Sequence, residues 1–168
     1  MPRLPFPLCL VVLLASCGSP SAPASTAADL SGRWGGTPAA WQWSAASVAD
    51  GLPVRSSACP GTLDLTSQPG GTFQGRYRIE CASAGVSAGD VVDGRIDATG
   101  RVSFRLVRAE GWDPAVIPGW FDSSCRAEGD PDTYEGSLSQ GAIDARRFRA
   151  LDCPGGRVTA SSAFNGRR

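Results

Sequence analysis

The sequence contains no histidine and no lysine, and only one methionine. Without histidine, Ser-His-Asp and Cys-His nucleophile systems and every His-ligated metal site are excluded. Positive charge rests on arginine alone, 16 residues against 16 aspartates and glutamates, for a formal net charge of zero. A chain with no basic excess has little to draw in a nucleic-acid backbone or an anionic membrane surface. Long apolar runs are missing too. The N-terminal run Leu8–Ala15 is eight residues, where a helix needs roughly 20 to cross about 30 Å of hydrocarbon. No segment keeps a helical period over more than about two turns.

Punctuation is abundant: 21 of the 168 residues are glycine and 13 are proline. They separate short apolar stretches, as in a chain of short strands and tight turns, and the length accommodates one complete domain. Residues 72–81, TFQGRYRIEC, alternate cleanly, with Phe73, Gly75, Tyr77, Ile79 and Cys81 on one face. That is the period of a half-buried antiparallel strand. Leu63 and Leu65 mark the strand before it. Val92, Gly94 and Ile96, then Val102, Phe104 and Leu106, flank the turn at Asp97–Gly100 as a second hairpin. Tyr134, Gly136 and Leu138, then Ile143 and Ala145, form a third. The inward phase shifts at Arg146–Arg147, where Phe148 and Ala150 take over, which predicts a β-bulge. Residues 157–164 supply a last strand, and SGRWGG and AAWQWS one or two early ones. Gly75, Gly94 and Gly136 each sit two residues from a large inward side chain, where a closing sheet needs bends. The expectation is an all-β fold of eight or nine strands in meander order, closed into a small up-and-down barrel because closure removes exposed edges.

The N-terminus has its own character. Arg3 precedes the apolar run, and small residues follow it, as in an export signal. Leu14-Ala15-Ser16-Cys17 resembles the lipobox of bacterial lipoproteins. The resemblance implies cleavage before Cys17, acylation of that cysteine and a membrane anchor in the cell envelope. Gly18 stands where many Gram-negative lipoproteins retained at the inner membrane carry Asp, so the resemblance points to the outer membrane. Residues 18–28, GSPSAPASTAA, carry no charge and no large apolar group, and read as a tether with a span of about 20 Å. The chain divides into a signal peptide at 1–16, a lipidated tether at 17–28 and a barrel domain at 29–168.

Four cysteines remain in the exported domain: Cys59, Cys81, Cys125 and Cys153. In an oxidising compartment they imply two disulfides out of three possible pairings. Cys59 and Cys81 flank the turn at 67–71 nearly symmetrically, and Cys125 and Cys153 flank the one at 139–141. Residues equidistant from a hairpin turn approach each other, which favours 59–81 and 125–153.

At the start of the domain, Asp29-Leu30-Ser31-Gly32-Arg33-Trp34 resembles the Gly-x-Trp opening of the calycin barrels, the lipocalin and avidin superfamily. The resemblance implies that Trp34 closes one barrel end, and in lipocalins a late arginine packs on that Trp. Arg149, Arg157 and Arg167 are the candidates.

Catalytic residues are sparse, and the chain reads as a binding protein rather than an enzyme, with no cofactor. Asp130, Asp132 and Glu135 cluster, but Pro131 between the acids and the spacing fit a solvated turn better than a calcium loop. Ser123 and Ser124 have no base. Residues 110–135 hold seven acids and one arginine, and residues 142–168 six arginines and two acids. Such halves pair across neighbouring strands or present a polar face to a partner. Residues 109–132 run without strand alternation, yet carry Trp112, Val116, Ile117, Trp120 and Phe121. This segment is either a plug folded over the barrel end or a lid lining a ligand site. Trp41 and Trp43, two apart, share one strand face and pose the same question. Two functions follow: a barrel holding a small apolar ligand, with Trp112, Trp120 and Phe121 as lining, or a module that contacts another envelope protein through the long loop.

Overall fold

A computed structural model of the protein describes residues 27–49, 53–121, 124–128 and 133–168. The signal segment, Cys17 and the tether as far as residue 26 lie outside the described residues. Those described form nine strands, β1 (Gly32–Ser47), β2 (Pro53–Gln68), β3 (Thr72–Cys81), β4 (Gly85–Ile96), β5 (Arg101–Gly111), β6 (Arg126–Glu128), β7 (Thr133–Ser139), β8 (Ala142–Cys153) and β9 (Gly156–Arg167). Among them there is no helix, and none long and apolar enough to cross a membrane.

Every pairing is antiparallel. The order β1-β2-β3-β4-β5-β7-β8-β9 closes where β9 returns to β1, giving an eight-strand barrel consistent with a calycin-like fold. The ninth strand, β6, pairs with β8 at Ala150–Asp152, beyond the stretch of β8 that β7 occupies. The alternation read in the sequence is the alternation of the wall. Leu63, Phe73, Tyr77, Ile79, Val102, Phe104, Tyr134, Ile143 and Phe164 are all buried in one continuous core. Two of the wall glycines show why the barrel needs them. A Cβ on Gly94 would strike the Phe73 ring and carbonyl, and one on Gly136 would strike the Asp144 carbonyl.

The expected bulge at Arg146–Arg147 is absent. Register between β8 and β9 runs unbroken from Ala142↔Arg167 to Cys153↔Gly156, and it is unbroken against β7 as well. Arg147 therefore keeps the inward phase, only 6% exposed, while Phe148 faces out at 56%. A strand bonded on both sides holds its register, and a bulge would forfeit ladder bonds along its length. The shift of phase lies instead in β4, between Val92 and Arg95. There Asp93 takes a positive φ of 54° and accepts a hydrogen bond from Arg105 at 2.9 Å. Val91, not Val92, is consequently the buried valine of that strand.

The expected disulfides are both present, Cys59–Cys81 and Cys125–Cys153. At the end where the chain joins the barrel, Trp34 is buried and donates from Nε1 to the Leu30 carbonyl at 2.7 Å. The Leu30 N–H donates to Ser67 Oγ at 2.6 Å. The arginine over Trp34 is Arg168, with its guanidinium carbon 5.1 Å from the ring centroid. Arg149, Arg157 and Arg167 do not fill that role; Arg168 donates to the carbonyls of Asp29 and Ser31 at 2.8 and 2.6 Å, sealing this end. The Asp29 carboxylate accepts from the Ser31 N–H at 2.8 Å, and that bond above all holds its pKa down at about 2.

Candidate functional site at the plugged end of the barrel

The opposite end is closed by the chain itself. β5 reaches Gly111, further than its alternation announced, and Gly111 turns inward at a φ of 77°. A Cβ there would strike the Val86 carbonyl, so only glycine makes the turn. Trp112 then enters the barrel, buried, with its ring edge-on to Trp43 at 5.5 Å. Two short turns follow, closed by Val116 N–H to the Asp113 carbonyl and Trp120 N–H to the Ile117 carbonyl, each at 3.2 Å. Ala115 and Ile117 are buried, while Trp120 and Phe121 are half-buried, ring centroids 6.5 Å apart.

Besides Trp112 Nε1, which donates to the Gly85 carbonyl at 3.4 Å, three hydrogen bonds pin this segment to the wall. Ser87 Oγ donates to the Trp112 carbonyl at 2.6 Å, Trp43 Nε1 to the Pro114 carbonyl at 2.9 Å, and Arg55 to the Gly119 carbonyl at 2.9 Å. Two of the donors are buried side chains whose loss of water is offset only if they are met, so the carbonyls of residues 112–119 are part of the barrel's closure. Cys125–Cys153 fixes the far side of the segment to the end of β8. Residues 122–123 and 129–132 lie outside the described residues, and with them Ser123, Asp130 and Asp132.

Beneath the plug the barrel interior is partly polar. Tyr134 is fully buried, hydrogen-bonded to Ser162 Oγ at 2.6 Å and stacked on Phe104 at 5.2 Å. Burial pushes its pKa up to about 12, against the opposing pull of the Ser162 hydrogen bond and the Arg147 charge. Tyr77 meets Ser87 at 3.4 Å, and burial raises its pKa as well. Arg149 reaches Asp113 in the plug at 3.9 Å, one contact between the basic and acidic stretches of the chain. Sequence reasoning missed this layer. Its only signal was Ser87, Ser162 and Arg147 at inward positions of otherwise apolar strands.

The candidate residues thus separate by depth. Trp41 and Trp43 are buried and stacked at 6.3 Å inside the barrel. Trp112 belongs to the core, and Trp120 and Phe121 remain partly accessible above it. Glu135 lies exposed on the outside of β7, and no three metal-ligating side chains gather among the described residues.

Comparison with protein-family models, curated proteins and solved structures finds no match to this chain. The reading of function therefore rests on the plugged end and on the chemistry of its residues.

Proposed function

We propose that the protein is a lipid-anchored lipoprotein of the bacterial envelope, its barrel calycin-like, which binds another envelope protein through its plugged end and catalyses no reaction. The observation that carries this reading is the filling of the barrel axis. Trp41, Tyr77, Phe104, Tyr134 and Phe164 are each less than 2% exposed, and Trp112 and Ile117 pack above them. An interior closed this way leaves recognition to the surface of the plug, where Trp120 and Phe121 offer aromatic area of the kind that anchors protein interfaces. Geometry supports the same reading. Residues 27–30 meet the barrel at the Trp34 end, so a tether from Cys17 would join the barrel at the end opposite Trp120. The Trp34–Arg168 contact supports the calycin-like part of the proposal.

The polar layer beneath the plug favours one second reading, a small apolar ligand with a polar head that enters when the plug lifts, with Trp112, Trp120 and Phe121 around it. One experiment separates the two. A photo-crosslinking amino acid is placed at Phe121 and, as a control, at Arg76 on the outer wall, in cells carrying the full-length protein. The protein-binding reading expects a discrete adduct from position 121 and none from position 76. An absence of adducts, together with saturable quenching of tryptophan fluorescence by a fatty acid and its loss in Trp120→Ala, would overturn it in favour of the ligand.

A further inference from the structure

Charges on the outer wall are mostly satisfied within the wall. Arg33 meets Asp64 at 2.7 Å, Arg78 meets Glu80 at 2.7 Å, and Arg105 meets Asp93 at 2.9 Å. One groove departs from this pattern. It has a volume of about 570 Å³, runs over β4, β5 and β7, and is lined by Arg95, Asp97, Arg101, Ser103 and Glu135. The register places Arg95 beside Ser103 and Ser103 beside Glu135, with Arg101 two residues along β5 on the same face. Ser103 is the short side chain among three long ones, and the wall is hollow above it. Arg95, Arg101 and Glu135 are exposed, and none makes an ion pair or a side-chain hydrogen bond among the described residues. Arg146 stands beside Glu135 in the register but turns to Asp144 of its own strand, at 3.6 Å. Asp97 is occupied within its own turn. Its carboxylate accepts from the Thr99 hydroxyl at 2.6 Å and from the Arg101 and Thr99 N–H groups at 3.0 and 2.8 Å, and these bonds hold its pKa down.

We propose that this groove binds a phosphate ester carrying a primary amine, the headgroup chemistry of an ethanolamine phospholipid. Arg95 and Arg101 take the phosphate, because a guanidinium offers paired N–H donors that match a tetrahedral oxyanion. Glu135 takes the ammonium. Arg95 and Glu135 stand on strands two spacings apart, about 10 Å, and both side chains line the space above Ser103. The four charges of the groove, two of each sign, cancel. A simple anion therefore gains less here than a ligand whose own charges are separated in the matching sense. Such a ligand needs no basic excess, in keeping with a formal net charge of zero. Placement gives the source. The turn that carries Asp97 also lines a cleft with Ala27, Ala28 and Asp29, where the chain enters the barrel. From Ala27 back to Cys17 is ten residues, at most about 35 Å of chain. An anchor at Cys17 thus keeps the groove within one tether length of the headgroups. On this point the inference rests on the lipid-anchored reading; it is independent of what the plugged end binds.

Full-length protein in a non-ionic detergent, titrated by calorimetry with soluble glycerophosphoethanolamine, should bind it saturably. Glycerophosphocholine, whose quaternary ammonium has no N–H to give Glu135, should bind roughly fivefold more weakly, as should inorganic phosphate. Arg95→Gln with Arg101→Gln should lower the affinity for glycerophosphoethanolamine by roughly tenfold or more. Glu135→Gln should instead erase the preference over glycerophosphocholine. Arg76→Gln, whose partner is Asp90 at 3.9 Å elsewhere on the wall, should change neither. All four side chains are exposed, so circular dichroism should be the same for every variant. The source is read separately, with the protein reconstituted in vesicles. Phosphatidylethanolamine vesicles should suppress binding of the soluble ester, and phosphatidylcholine vesicles should not. No saturable binding, equal affinity for the two esters, phosphate binding as tightly as the ester, or no effect of the arginine substitutions would each overturn the proposal. Equal binding in both kinds of vesicle would overturn the membrane as the source and assign the groove to a soluble phosphate ester. A protein that takes up no palmitate would lose its anchor but not its binding in detergent, so the two readings fail independently.

Discussion

Arg147 and Phe148 are adjacent in the chain and occupy each other's expected places. Side-chain character alone assigns the phenylalanine to the core and the arginine to water. Backbone pairing decides otherwise, because β8 is held by β9 along its whole length. The guanidinium can be buried because its surroundings are polar; it acts on Tyr134, which bonds Ser162. The same layer predicts a pH dependence. Tyr134 keeps its proton in the folded protein up to about pH 12, while an unfolded tyrosine loses it near pH 10. Across that window the folded state binds more protons, so stability falls as pH rises, by about 2–3 kcal/mol for the full interval. Denaturant midpoints measured at pH 9 and pH 11 should diverge, and Tyr134→Phe should flatten the difference. An unchanged slope in that variant would assign the effect to another group, such as Tyr77.

At the level of elements, hairpins were legible because period two and turn chemistry agree. Residues 72–81 and the turn at Asp97–Gly100 needed nothing from the rest of the fold. The disulfides followed from the same symmetry about the turns. The plug was legible only as an apolar load in a segment with no alternation, since its turns are held by carbonyls meeting Trp43, Ser87 and Arg55 from distant strands. Its two tryptophans should behave differently. Trp112 is inside the core, and Trp112→Ala should cost about 3–5 kcal/mol of folding stability. Trp120 is half-buried, so Trp120→Ala should cost clearly less while weakening capture of a partner at position 121. Thermal or denaturant unfolding of the two variants side by side checks the ranking. Equal losses would show that residues 118–121 are as much a part of the core as residues 112–117.

For the whole molecule, the sequence indicated closure through its meander of hairpins, but not which residue would lock the Trp34 end. Arg168 does so through a contact 134 positions away from Trp34 along the chain, and no local pattern marks it. The lock and the plug give the barrel two ends with different roles under the proposed function, one joined to the tether and one offered to a partner. Anchoring and folding should then be separable. The disulfides join Cys59, Cys81, Cys125 and Cys153, and the packing of the Trp34 end is made from Ala27 onward, so Cys17→Ala should leave the barrel intact. It should still abolish lipid attachment and signal removal. Radiolabelled palmitate should enter the unaltered protein and not the variant, while both run faster on non-reducing than on reducing gels, as compact disulfide-bonded domains do. Crosslinking from position 121 should fall in the variant if anchorage in the correct membrane brings the plugged end within reach of its partner. Label retained in Cys17→Ala, or an unaltered protein released in soluble form after cleavage elsewhere, would remove the anchor. The plugged end would then no longer be the end of the barrel remote from an anchor.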